Sequence, residues 1–236
     1  MIDRMGPTRR PPLRASGRQA WRRLLFMHWP VPEQVLRELV PAALELDLHD
    51  GVAYVGVVPF EMEGVRPRFW PSSLAFNFLE TNVRTYVIHN GRPGVYFFSL
   101  EAASRLAVWV ARTFWGLPYH YAEMHVKNVE NTICYQSVRR GSGIRHQVRY
   151  RVGDMLGPSL PDTIEFFFLE RYLLFVERRD AMYVGQVYHT PYPAQEAHLL
   201  DVADELLKAA GLDFAVGPPA FTHYASGVDV EVFKLQ

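Results

Sequence analysis

Three scarcities constrain this 236-residue chain before any motif does. Cysteine is the first: Cys134 stands alone, which excludes an intramolecular disulfide framework and a Cys-rich zinc site. Long apolar runs are the second. Stretches such as LAVWVA and IEFFFL fall far short of the roughly 18–20 residues of a membrane-spanning helix. The N-terminus is basic but has no apolar core of a secretory signal. The expectation is a soluble, cytoplasmic protein with no membrane partner. Lysine is the third: only Lys127, Lys208 and Lys234 occur, so amine chemistry has few places to reside while guanidinium groups abound.

Net formal charge is also absent, at +0. Seven arginines precede residue 24 against the single acid Asp3, yet no basic face continues into the rest of the chain, so no nucleic-acid partner is expected. Residues 1–20 read instead as a basic, Pro/Arg-rich extension expected to be disordered. The nine histidines show no HxH, HExxH or HxxxH spacing, which points to no metal site. No GxSxG elbow, no GxGxxG after a strand and no Walker loop is present, and no cofactor is implied.

What is there is a chain 49% hydrophobic and 14% aromatic, ample for one large core over residues 21–236. WRRLLFMHW reads as a first strand, and PEQVLRELVPAA as a helix with Pro32 in its first turn. LELDLHDGVAYVGVVPFEM reads as a hairpin through its Asp-Gly turn. FNFLETNVRTYVIHNG is the clearest strand and is followed across RPG by GVYFFSLEA. SRLAVWVARTFWG changes to helical spacing, with Ser104 as N-cap and Gly116 just past its end. Strands YHYAEMHVKNV, TICYQSVRR and IRHQVRYRVG come next, then DTIEFFFLER as a short helix capped by Asp162. The strands YLLFVERR and AMYVGQVYHTPYP follow it. PAQEAHLLDVADELLKAAGL is expected to be an amphipathic helix ending at Gly211, before a last strand FTHYASGVDVEVF. The sum is an α+β domain of about ten mainly antiparallel strands in a curved sheet or barrel.

Period-2 geometry puts Phe76, Phe78, Glu80, Asn82, Arg84 and Tyr86 on one face of a strand, and β-branched packing residues on the other. A carboxylate, an amide and a guanidinium among aromatics suit a polar cavity, where they pair or grip a ligand. A solvated face and a buried salt bridge are the alternatives. Arg112 lies near the carbonyl end of its helix, either as a helix-terminal charge or as a ligand contact. Tyr119 opens the next strand, and His120 shares its opposite face with Ala122, Met124 and Val126, a pattern compatible with an interior position either as a satisfied core histidine or as a catalytic one. Glu170 and Arg171 are adjacent and point to opposite faces; the sequence does not say which turns inward.

LLFMHWPVP (24–32), LVPAALELDLHDGVAYVGVVPFEM (39–62), ETNVRTYV (80–87), GVYFFSLEA (94–102), FWGLPYHYAEM (114–124), FLERY (168–172) and HTPYPAQEA (189–197) resemble the YqjF-like bacterial family, domain of unknown function 2071. That family is similar in fold to acetoacetate decarboxylase, which implies a cone-shaped β-barrel flanked by a few helices, and a homo-oligomer accords with such a fold. In the decarboxylase a Gly-x-Pro turn leads to two adjacent lysines, one forming the Schiff base. The resemblance puts Tyr119 and His120 at those positions, so Schiff-base decarboxylation is not expected. The expectation is a lumen pocket for a small organic ligand, carboxylate or oxygen-rich, held by Glu80, Asn82, Arg84, Arg112, Tyr119 and His120. Two alternatives stay open: a lysine-independent lyase or hydrolase with Glu80 or His120 as acid/base, and a non-enzymatic interaction protein with a packed barrel.

Overall fold

Alternating apolar residues and tight two-residue turns account for most of the strand order. The structure is a computed structural model and describes residues 2–179, 181–213 and 217–236. Strand β1 (Gly17–Val31) is followed by α1 (Glu33–Leu39), the two-residue β2 (Glu45–Leu46) and β3 (Ala53–Pro67). Strand β4 (Phe76–His89) turns into β5 (Arg92–Ala102) through Asn90 and Gly91, whose φ values of 51° and 71° are those a two-residue hairpin turn requires. A crossover made of α2 (Arg105–Val110) and one π-helical turn (Ala111–Trp115) then leads to β6 (Tyr119–Val129). It is needed because β6 runs parallel to β5. Ser104 caps α2 by accepting from the Ala107 amide (3.2 Å), and Gly116 closes the crossover in the left-handed region at φ 68°.

Strands β7 (Thr132–Arg139) and β8 (Arg145–Gly157) extend an antiparallel meander from β6. Helix α3 (Ile164–Leu169), β9 (Leu173–Arg178), β10 (Ala181–Tyr188), β11 (Ala194–Asp204), α4 (Leu206–Ala209) and β12 (Phe221–Val232) complete the chain. The pairings return on themselves twice. One circuit runs β5–β6–β7–β8–β11–β12–β1–β3–β4 and back to β5; the other runs β5–β9–β10–β12–β1–β3–β4 and back. Both use the wall β12–β1–β3–β4–β5. Gly94 permits the second circuit, because a Cβ there would stand 2.6 Å from the Leu173 carbonyl oxygen on β9.

Because side chains alternate along a strand, the shared wall serves two interiors. Leu25, Met27, Val55, Val57 and Val83 face one way and pack with Ala122, Met124, Ile133, Tyr135, Val148 and Tyr150. Leu24, Phe26, Val58, Phe60, Met62 and Phe78 face the other way, into a second cluster. The first interior is packed; the second encloses the cavity described below.

Several expectations are corrected. Residues 194–204 form β11 rather than the start of an amphipathic helix. They pair with β8 from His146 to Gly157, and a helix there would leave the outer edge of β8 without partners. Only Leu206–Ala209 is helical; Asp204 Oδ2 accepts from the Leu207 amide at its start (2.9 Å), and the left-handed Gly211 follows. The Asp-Gly turn forms, with His49 bridged to Val52, but β2 pairs with β4 and not with β3. Thr163, not Asp162, caps α3. The sheet is mainly antiparallel, as expected, with β5 pairing in parallel with β6 and β9 as the exceptions.

The first strand begins at Gly17, inside the segment expected to be a disordered extension, and residues before it are laid against the domain. Arg10 pairs with Glu231 (2.6 Å), and Arg4 grips Asp47 with both terminal nitrogens (2.8 and 2.7 Å). Asp47 is fully buried and also accepts from Arg171 Nη1 at 2.6 Å. Burial alone would raise its carboxyl, but the two guanidiniums outweigh it and hold Asp47 below the usual carboxylate range. Removing Asp47 strands the buried Arg171 charge, whereas Arg4 is part exposed. Asp47→Ala is therefore expected to cost about 3–5 kcal/mol in a urea-melt comparison, and Arg4→Ala only about 1 kcal/mol or less. Equal losses for the two would refute this ordering.

Candidate functional site

The face of β4 that carries Phe76, Phe78, Glu80, Asn82 and Arg84 lines a cavity of about 870 Å³. The strand register orders it. Phe76 lies opposite Val65, Phe78 opposite Met62, Glu80 opposite Phe60 and Asn82 opposite Val58 on β3. On β5, Asn82 lies opposite Leu100 and Arg84 opposite Phe97. The Phe76 end opens to solvent between Trp70, Leu106, Trp109 and Phe114, all exposed. The Arg84 end is closed by α3 and the residues after it. Phe168 stacks flat on His28 there (centroids 3.7 Å apart, 5° between planes), and His28 Nε2 lies 2.6 Å from the Tyr86 hydroxyl. From mouth to floor along β4 is eight residues, roughly 26 Å of strand.

Glu80 is 3% exposed and lies midway. Its Oε2 accepts from the Tyr119 hydroxyl at 2.7 Å, and its backbone carbonyl accepts from the Tyr135 hydroxyl at 2.8 Å. Burial pushes the carboxyl up to about 8; Tyr119 opposes that rise and nearby Glu101 adds to it. Glu80 is therefore a neutral acid at pH 7, able to donate a proton or hydrogen bond into the cavity. Burial, followed by the neighbouring Glu80, holds the Tyr119 hydroxyl well above the ordinary tyrosine value, so it stays a donor.

Arg84 is 9% exposed and lies at the floor. Its Nη2 donates to the Phe168 carbonyl oxygen (3.0 Å), and the guanidinium stands over the Phe26 and Tyr86 rings at 5.4 and 5.6 Å. Among the described residues no carboxylate pairs with it, and its buried Nε has no hydrogen-bond partner. The buried Glu80–Arg84 salt bridge, one of the alternatives, does not form, because four residues of extended strand separate the two side chains. Asn82, between them, likewise has a buried Oδ1 without a partner.

Two expected residues lie elsewhere. His120 faces the packed interior rather than the cavity, beside Ala122 and Met124, with Glu101 opposite it on β5. Burial, then Arg139 and Arg112, pushes its imidazole down to about 4. Arg112 is not part of the cavity lining: its Nε donates to the Tyr119 carbonyl oxygen (2.6 Å) and ties the crossover to the start of β6. Arg171 rather than Glu170 lines the cavity, its charge matched by Asp47. Glu170 accepts instead from the Tyr172 hydroxyl (2.5 Å) and the Tyr192 amide (3.0 Å).

Sequence reasoning missed Trp21, Leu24, Tyr172 and Tyr192, which reach the same cavity from distant segments. Only the strand pairings bring them together, and no local pattern announces that. Lys234, near the end of the sequence, also belongs to the cavity lining, its exposed side chain lying among the residues at the mouth. Val232 pairs with Gly17, Gly17 with Pro67, and Val65 with Phe76, which puts Lys234 at the end opposite Arg84. Lys127 and Lys208 are exposed on β6 and α4.

Solved structures share this fold. The enduracididine biosynthesis enzyme MppR, complexed with the condensation product of pyruvate and imidazole 4-carboxaldehyde, superposes with TM-score 0.66 at 11% identity, over 95% of this chain and 90% of that one. Acetoacetate decarboxylase from Legionella pneumophila superposes with TM-score 0.63 at 14% identity, over 99% and 93%. Identities this low establish a mostly-sheet, acetoacetate decarboxylase-like fold and nothing finer. In sequence, the chain is 37% identical over 221 residues to the uncharacterized protein YqjF of Bacillus subtilis, covering 93% of this chain and 91% of that protein. Residues 18–229 match the DUF2071 model, described as an uncharacterized conserved protein. The chain belongs to the DUF2071 family.

Proposed function

We propose that the two closed strand circuits form a barrel-like wall, and that its lumen binds an organic carboxylate with Arg84 as the counter-charge. The observation that carries this reading is a buried guanidinium with no carboxylate partner among the described residues, at the floor of a cavity open to solvent. An unmatched charge in a protein interior costs several kcal/mol unless something neutralises it. A planar guanidinium matches a carboxylate with two parallel hydrogen bonds. Asn82 and the Glu80 carboxyl offer further hydrogen bonds to oxygen substituents of the same molecule. A cavity of about 870 Å³ speaks against the alternative of a packed interaction scaffold.

Glu80 supports a second reading. A buried acid whose pKa stands near 8, with a tyrosine donor at 2.7 Å, is poised to exchange protons near neutral pH. That suits a lyase or hydrolase independent of any lysine, in which Glu80 protonates or deprotonates the bound acid. His120 no longer has a part in it, and neither does a Schiff base at Tyr119 or His120.

Two outcomes follow for the protein in solution. Arg84→Met removes the charge and keeps the volume. Its ligand-free melting temperature is expected to stay level or rise by a few degrees, at roughly 2–4 °C per kcal/mol for a chain of this size. The stabilisation that wild type gains from carboxylic acids in a thermal-shift screen is expected to vanish. A fall of more than about 3 kcal/mol in the ligand-free variant would assign Arg84 a structural duty instead.

The second outcome concerns pH. An acid whose folded pKa is raised binds its proton more tightly folded than unfolded, so its contribution is fully present at or below the unfolded value of 4.5. Stability is then lost as pH rises toward 8, with a slope of up to about 1.4 kcal/mol per pH unit. Glu80→Gln is expected to lack this slope, so that the stability difference between the two proteins in urea melts falls steadily from about pH 4.5 to about 8. Carboxylate affinity is likewise expected to drop above pH 8 in wild type and stay flat in the variant. Parallel pH profiles would show that Glu80 does not titrate there.

A further inference from the structure

We infer that the ligand is an amphipathic carboxylic acid, with its carboxylate at Arg84 and a long apolar body running past Glu80 to the mouth. This deepens the proposed function and rests on its carboxylate reading. The walls decide the matter. Between the floor and the opening, the cavity is faced by Trp21, Phe60, Met62, Phe76, Phe78 and Phe97. A short acid would fill only the floor and leave those rings facing water, whereas a hydrocarbon chain gains from covering them. The cavity's size is in the range that accommodates a drug-sized molecule.

The polar groups are placed to suit such a molecule. Glu80 stands beside the path of the chain, and burial keeps it uncharged at pH 7, so the apolar body meets no fixed charge midway. Glu80 is also the only acidic side chain among the described lining residues, against Arg18, Arg66 and Lys234 at the opening and Arg84 and Arg171 at the floor. Asp47 already matches Arg171, while Arg84 is left for the ligand. The cationic rim draws an anion to the mouth. The exposed Trp109 and Phe114 there give the emerging end of the chain an apolar collar.

The test is calorimetric titration of the full chain at pH 7 with straight-chain acids from acetate to dodecanoate. Decanol serves as the uncharged control, and Arg84→Met and Arg84→Gln as variants. Affinity is expected to climb roughly fourfold per added methylene through the series. Decanol and both variants are expected to lose roughly tenfold or more against decanoate and wild type. Acetate binding as tightly as decanoate, with Arg84 still required, would overturn the amphipathic assignment and leave the carboxylate reading standing. Decanol matching decanoate, or full affinity in both variants, would overturn the carboxylate reading itself. Failure of every acid to bind would overturn both.

Discussion

Everything in this molecule depends on one wall of five strands having two insides. Because side chains alternate with a strict period of two, residues such as Leu25, Met27 and Val57 build a packed core, while Leu24, Val58 and Phe60 face a cavity. A one-residue slip in the register of β3 against β4 would exchange the two sets. It would drive Glu80, Asn82 and Arg84 into the packed side, where nothing could match them. The register is accordingly held from several directions. The Asn90–Gly91 turn sets β4 against β5, and the Tyr119 and Tyr135 hydroxyls bond Glu80 from β6 and β7.

The packed side supplies the stability that the cavity side does without. Fully buried Leu25, Met27, Val55, Val57 and Val83 form an apolar core, and the buried carboxylate on that side, Glu101, is matched by Arg139. The cavity holds a neutral carboxyl, an amide oxygen without a partner and a guanidinium without a counter-charge. Features that cost stability and concentrate in one open cavity are what a binding site looks like before its ligand arrives. The contrast with Arg171 sharpens this. It is equally buried and close by, yet Asp47 matches it, and Asp47 in turn receives Arg4 from the N-terminal segment. One arginine is built into the fold, and the other is left available.

The most informative strand was legible from its letters. The alternation in FNFLETNVRTYV assigns Phe76, Phe78, Glu80, Asn82 and Arg84 to one face because period-2 geometry is local and needs no knowledge of partners. Ser104 and Gly116 were legible for the same reason, since caps follow from backbone chemistry within one turn. What failed was whatever depended on distant pairing. His120 does face an interior along with Ala122 and Met124, but the sequence cannot say that there are two interiors. Residues 194–204 fit a helical spacing and a strand equally well, and only the open edge of β8 decides between them. The choice between Glu170 and Arg171 rested on Asp47, more than a hundred residues away. The acetoacetate decarboxylase-like fold was reached through motifs, not through strand count, and the loss of lysine at Tyr119 and His120 was visible in the same stretch.

The central claim is that Arg84 waits for a carboxylate. A crystal structure of the protein soaked with decanoate tests it most directly. The account predicts the carboxylate within hydrogen-bonding distance of the Arg84 guanidinium, with the chain rising past Phe78 toward Trp109. Density for the carboxylate at Lys234 or Arg18 on the rim, with Arg84 untouched, would contradict it.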